Sequence, residues 1–350
     1  MTRCVVIWLS LLIVVLRPAS AGAGQDPWVS VRTAAGVTME RHPQISAQSL
    51  RGALIAQNAG LETQVIRLDP QSLLIAVQRQ GRGEVFIITL QAGHARVAWS
   101  AVLDAARGRP VNDPLTAWRL NTGAPSQDSP RSPLSGTLID LPAGPGGERR
   151  FAINADHTQA IGATVAAQLS IWRWNGGSAR PLFVTAYDHL LSDDAPVILA
   201  GGVLRIRQKG HFETFSTCGA CEERRQLRIV ALTQAGTEDR GLIDLDPDLA
   251  LIDTTLDRIL KRQPVGDQID PQVVGLLEPL LTSVEAQPSN AAALGGLVSW
   301  SSRGGSAGRT LCLSTDETGA LYFRLRGRGA ATRVTQVRVT QAVGCDAPSS

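Results

Sequence analysis

The sequence predicts a mostly β fold of antiparallel hairpins with a short helical insert, and three observations carry that reading. β-rich apolar runs recur in pairs joined by short glycine-containing turns. The hydrophobic period is two along most of the chain and turns helical between about 253 and 286. Glycine (34) and proline (19) punctuate the 350 residues at the places where the period breaks.

The first 21 residues read as a signal peptide. Arg3 supplies the positive start, Cys4 to Leu16 is an apolar run of 13 residues, and Ala19-Ser20-Ala21 offers a cleavage pattern. The run is shorter than the roughly 20 residues a spanning helix needs. The expectation is therefore a periplasmic or secreted chain, cleaved near Ala21, with no membrane span in the mature part. That part carries 32 basic and 31 acidic residues, and only Lys209 and Lys261 are lysines. A near-balanced charge gives no electrostatic footprint for nucleic acid, where clustered positive charge is expected.

In chain order, Trp28 to Arg32 reads as a short strand and Ser46 to Gln57 as a helical turn. Val65 to Val77 and Val85 to Trp99 give two hairpins, turning at Gly81-Arg82-Gly83 and Gln91-Ala92-Gly93-His94. Residues 123–136 are Ser/Pro-rich without apolar periodicity and read as a surface loop. Further pairs fall at Thr137 to Leu141 with Arg150 to Asn154, and at Leu169 to Trp174 with Pro181 to Tyr187. Two more fall at Gln226 to Leu232 with Gly241 to Asp246, and at Leu321 to Arg326 with Val334 to Val343.

In the insert, Asp253 is placed as the N-cap of a first helix and Asp270-Pro271 as the start of a second, with Pro279 kinking it or ending it early. Leu256, Ile259 and Leu260 share one face of the first helix. Val273, Val274, Leu277, Leu280, Leu281 and Val284 line a buried face of the second. The organisation is thus a mainly β region at 22–252, a helical insert at 253–286, and a C-terminal β unit at 287–350 packed on the main domain.

Glycines 93, 176, 236 and 327 mark corresponding turns, spaced by 83, 60 and 91 residues. Two of those gaps lie near twice a four-stranded blade of about 40–45 residues. The hairpins resemble propeller blades in general, without a WD or kelch signature. A propeller-like domain is the first architecture, and a β-sandwich with a small C-terminal β unit the second.

Cys218-Gly219-Ala220-Cys221 is the most distinctive short constellation, set in the 204–246 stretch. A thioredoxin-like pair needs a helix directly after it, but Glu222-Glu223 and a strand pattern follow. Zinc needs two more ligands nearby, and Cys312 and Cys345 are distant in sequence. In an exported chain these four cysteines read as structural disulfides, with three connectivities open. A Cys312–Cys345 bridge closes a long loop and staples the fold at about 3–4 kcal/mol, whereas Cys218–Cys221 only clamps a loop tip.

Gly304-Gly305-Ser306-Ala307-Gly308 spells a nucleophile elbow, but the last histidine is His211 and a strand pattern follows, so it reads as a turn. Asp244-x-Asp246-x-Asp248 lacks the glycine and the bidentate glutamate of a calcium loop. Trp172 and Trp174 share one strand face, as core first and as a ring-stacking surface second. Arg324, Arg326 and Arg328 form a stripe, a solvated face first and a reader of anionic polymer or lipid headgroups second.

No catalytic, metal or cofactor residue is assigned. The expectation is an exported non-catalytic binding or assembly protein of the cell envelope, presenting loops to a protein or polymer partner. The alternative is an envelope enzyme, hydrolase or thiol-active, with a site assembled from His157, Asp188, His189 and His211.

Overall fold

The computed structural model describes residues 28–79, 82–103, 134–158, 164–190, 195–215, 223–285, 294–305, 308–315, 319–341 and 344–345. The proposed signal peptide, the Cys218-x-x-Cys221 motif and most of the Ser/Pro-rich loop lie outside them.

The fold is mostly β and propeller-like, and the described residues form four antiparallel four-stranded meanders. The first sheet holds β1 (Glu62–Asp69), β2 (Ser72–Arg79), β3 (Arg82–Gln91) and β4 (His94–Leu103). The second holds β5 (Leu134–Leu141), β6 (Arg149–Thr158), β7 (Thr164–Trp174) and β8 (Ala179–Leu190). The third holds β9 (Val197–Ala200), β10 (Val203–Gly210), β11 (Arg224–Leu232) and β12 (Thr237–Asp244). The fourth holds β13 (Leu297–Gly305), β14 (Gly308–Thr315), β15 (Gly319–Arg326) and β16 (Arg333–Thr340). The expected loop at 123–136 overlaps β5 at its end, where Leu134, Ser135 and Gly136 pair with β6.

The four glycine landmarks fall at one place in each sheet, the turn between its third and fourth strands. All four have positive φ, and a Cβ at Gly327 would stand 2.2 Å from the Ala331 carbonyl oxygen. Each gap is therefore one step from sheet to sheet. The two long gaps are single steps with insertions, residues 104–133 in one and the helical insert in the other. Among the described residues, each long gap therefore spans one sheet rather than two.

Two helices open the described chain, α1 (Val29–Arg41) and α2 (Ala47–Gln57). The expected strand at Trp28 to Arg32 is instead the start of α1. Its β-prone letters are overridden because Trp28, Val31, Ala35 and Met39, spaced three and four apart, all bury on the first sheet. Ser46 caps α2, its hydroxyl oxygen accepting from the Ser49 N–H at 3.0 Å. Arg32 reaches from α1 to Glu84 of β3 at 2.6 and 2.7 Å, a carboxylate that is 1% exposed.

The first three sheets stack. Leu73, Ile75 and Phe86 of the first sheet meet the helices, and Leu74, Val85 and Ile87 on its other face meet Phe151, Ile153, Trp172 and Trp174 of the second. The second sheet's far face sets Ala152, Leu169, Ile171 and Tyr187 against Leu204, Ile206 and Val230 of the third. The fourth sheet buries Leu311, Leu313, Leu321 and Phe323 under α3 (Pro247–Leu260) and α4 (Pro271–Glu285).

The helical insert departs from expectation in two ways. Asp253 is no N-cap: α3 starts at Pro247, with Asp246 in the cap position, so the same acid-then-proline start occurs twice. Pro247 occupies the first turn of this helix. Finally, α4 runs through Pro279 to Glu285. Leu256, Ile259, Val273, Leu277 and Leu281 bury as expected, Leu260, Val274 and Leu280 partly, and the Val284 side chain lies outside the described residues. Cys312 and Cys345 form a disulfide with Cα atoms 5.7 Å apart, tying β14 to the chain after β16.

Candidate functional site

The third sheet has the exposed chemistry. Along β10, Leu204 and Ile206 point to the second sheet and are fully buried, so the alternate residues Arg205, Arg207 and Lys209 must point outward. The register carries that face across the sheet. Arg205 pairs with Ile198 and Ile229, Arg207 with Leu227, and Lys209 with Arg225. Leu227 pairs in turn with Ile243, and the Leu245 N–H donates to the Arg225 carbonyl at 3.0 Å. Ile198, Ile243 and Leu245 are 38%, 53% and 47% exposed, so rows of cations alternate with uncovered aliphatic side chains. Ile198, Arg205, Arg207, Lys209, Arg225 and Leu227 are among the residues lining a cleft of about 440 Å³.

The charges on this face are unequal. Lys209 is paired with Glu223. Among the described residues no carboxylate stands within ion-pair distance of Arg205, Arg207 or Arg225. Burial pushes the Asp246 carboxyl up from its ordinary range, with the Arg225 charge pulling it down and Asp244 pushing it further up.

The opposite side of the same strands is locked. Arg224 donates to both Asp244 carboxylate oxygens at 2.7 and 2.8 Å and to Asp253 at 3.2 Å. These hydrogen bonds to Asp244 raise the guanidinium pKa against its partial desolvation. Desolvation works to raise Asp244, but hydrogen bonds from Arg224 and Gln226, with the Arg224 charge, hold it below the usual carboxylate range. Asp253, fully buried in α3, also accepts from the N–H groups of Glu213 and Thr214 and from the Thr214 hydroxyl at 2.6 Å. This carboxylate therefore anchors the chain that enters residues 216–222, where Cys218 and Cys221 lie. Phe215 on the same segment is buried under α3 and α4.

The structure separates the other residues singled out by sequence. Trp172 and Trp174 are core, 4% and 2% exposed, and offer no stacking surface. Their indole N–H groups donate to Ser170 Oγ and Asp69 Oδ2, each at 2.8 Å, and Trp172 lies 4.9 Å from Trp99 between ring centroids. Arg324 and Arg326 share the outward face of the fourth sheet, where Arg324 donates to Gln336 at 3.4 Å and Arg338 lies 4.7 Å over the Tyr322 ring. Arg328 is exposed in the β15–β16 turn, beyond the strand stripe.

Asp188 and His189 are neighbours on β8 and so face opposite sides of the second sheet, which keeps them from sharing one pocket. His189 is buried beside Tyr187, with Nδ1 2.9 Å from the Leu190 carbonyl oxygen. His211 is exposed past the end of β10, and the His157 side chain lies outside the described residues. The acid triplet is dispersed: Asp244 pairs with Arg224, Asp248 with Arg309 at 2.7 Å, and Asp246 opens α3. The glycines of the elbow spelling flank the β13–β14 hairpin, with Gly305 opposite Gly308 and strand on both sides. Among the described residues no group of three His, Cys, Asp or Glu gathers to hold a metal, and no helix is long and apolar enough to cross a membrane.

The alternation Arg205-x-Arg207-x-Lys209 is visible in the sequence, as is the arginine stripe at 324–328. What distinguishes the first is β9, a four-residue strand too short to stand out, which makes β10 an inner strand.

No protein-family model matches the chain, and no curated protein matches it in sequence. Among solved structures it is similar to the β-propeller domain of Nup133 from Vanderwaltozyma polyspora, at 8% identity and a TM-score of 0.25. The similarity spans 53% of this chain and 46% of that one, less than half of that domain's length.

Proposed function

We propose that the chain is a non-catalytic binding or assembly protein, exported to the periplasm or secreted after cleavage near Ala21, whose β scaffold engages a protein or polymer of the cell envelope. One observation carries this reading. Among the described residues, the outward face of the third sheet combines exposed Arg205, Arg207 and Arg225 with exposed Ile198, Ile243 and Leu245. Contiguous apolar side chains rimmed by charge mark interaction surfaces, and three cations without carboxylate partners favour an anionic one. The binding element is thus a sheet face rather than the loops expected from sequence.

The experiment is affinity capture by residues 22–350 from an envelope extract, beside an Arg205→Glu/Arg207→Glu variant. The expected result is a partner retained at low salt, released at high salt, and missing from the variant. Identical retention by both proteins, or no retention at all, overturns the reading. Fractionation of cells making the full chain tests export, and intact protein confined to the cytosol refutes it.

A further inference from the structure

From the geometry of the third sheet we infer that its outward cleft binds a single amphiphile, a molecule with a phosphate or carboxylate head and an alkyl chain. This deepens the binding reading and rests on it for the choice of face, though not for the identity of any macromolecular partner. The volume, about 440 Å³, lies in the range of small-molecule pockets, about 300–1,000 Å³. The walls are of two kinds in register. Among the described residues, Arg205, Arg207 and Arg225 contribute guanidinium groups with no carboxylate in ion-pair range, Ile198, Leu227 and Leu245 contribute aliphatic surface between them, and the Glu223 carboxylate in the same lining is paired with Lys209.

Each half of that lining rejects a class of ligand. Fully polar anions such as free phosphate or an anionic sugar polymer satisfy the arginines but leave the aliphatic rows in water. A neutral lipid covers the aliphatic rows but strands guanidinium groups that favour planar, bidentate pairing with phosphate or carboxylate. A second copy of this face brings like charges together and is disfavoured for that reason. The pairing of Lys209 with Glu223 leaves the free cations at the Arg205, Arg207 and Arg225 positions, and so places the head group there. Concavity favours one molecule over a flat bilayer. The lining is also rigid at the start of β11, where Arg224, itself a lining residue, is held by Asp244 and Asp253, so the site needs little ordering on binding.

The test is calorimetric titration of residues 22–350 with dodecyl phosphate below its critical micelle concentration. Inorganic phosphate, dodecyl maltoside and vesicles of phosphatidylglycerol are the comparison arms. The expected result is saturable binding of dodecyl phosphate with one site. It weakens about tenfold or more in Arg207→Gln and in Arg205→Glu, and similarly in Ile198→Asp, with far-ultraviolet circular dichroism unchanged. Inorganic phosphate and dodecyl maltoside should each bind at least about a hundredfold more weakly, since each satisfies one wall only. Inorganic phosphate binding as tightly as dodecyl phosphate reduces the site to an anion site and overturns the inference. So does capture by phosphatidylglycerol vesicles without binding of monomeric dodecyl phosphate, which assigns the face to a bilayer surface. An envelope partner retained by the wild type while dodecyl phosphate fails to bind overturns this inference alone and leaves the binding function standing.

Discussion

The second and third sheets share one topology, the four-stranded meander, and differ in what lies against them. The second is covered on both faces, by the first sheet and by the third. Along β7 every residue from Ala167 to Trp172 is buried, including Gln168 and Ser170. Among the described residues the third is covered on one face, and β10 alternates buried Leu204 and Ile206 with exposed Arg205 and Arg207. Two-sided burial removes the period of two from a strand's composition, and one-sided burial keeps it. Cations therefore collect where stacking stops, and the end of a stack becomes a binding surface without any change of backbone.

The comparison is broken most severely at its buried side. Trp172→Ala empties the seam between the first and second sheets and is expected to cost about 3–5 kcal/mol in urea unfolding. A loss under about 1 kcal/mol shows that the seam is not a packed core.

Asp253→Ala comes next. It leaves Arg224 and two backbone N–H groups facing an apolar gap, for an expected loss of about 3 kcal/mol. The same variant should quicken proteolysis within 212–224, because the anchor of that segment is gone. An unchanged cleavage rate there refutes the anchoring role.

Acid sharpens the contrast between the locked and the open side of the third sheet. The folded-state pKa of Asp244 lies below its unfolded value, so its contribution is fully present above the unfolded pKa of about 3.9 and is lost as pH falls through the folded one. Stability of the wild type should therefore drop more steeply below about pH 4 than that of Asp244→Asn. Parallel stability profiles for the two proteins would falsify the coupling.

The smallest effect belongs to the open face itself. Arg207→Ala and Ile243→Ser are expected to change stability by no more than about 0.5 kcal/mol. A cost above about 1 kcal/mol reveals that the face is covered in solution.

Much of the strand pattern was legible. Hairpins whose turns carry Gly93, Gly176, Gly236 and Gly327 stood out because a positive φ demands glycine whatever the surroundings. The start of α4 at Asp270-Pro271 was equally local. Misreadings fell where burial overrode local preference. Trp28 and Val31 look like strand residues until the first sheet is present to bury a helical face. Asp253 looks like a cap because Asp favours helix caps over interiors, and the N–H groups of Glu213 and Thr214 explain it there.

The candidate site shows the same division. The alternating cations at 205, 207 and 209 are visible in the sequence, but so is the stripe at 324, 326 and 328, and nothing local ranks them. The ranking came from register, which sets Ile198, Leu227 and Arg225 beside the first group to make a cleft. By itself, the sequence determined the strands, their turns and the near-neutral charge, because backbone conformation and hydrophobic period are local properties. Only the tertiary structure decided which faces meet another sheet and which meet water. It buried Trp172 and Trp174, joined Cys312 to Cys345 and left Arg205 and Arg207 uncovered. The physical reason is that a strand's pattern records how many of its faces are buried, whereas the partner on each face comes from segments tens of residues away.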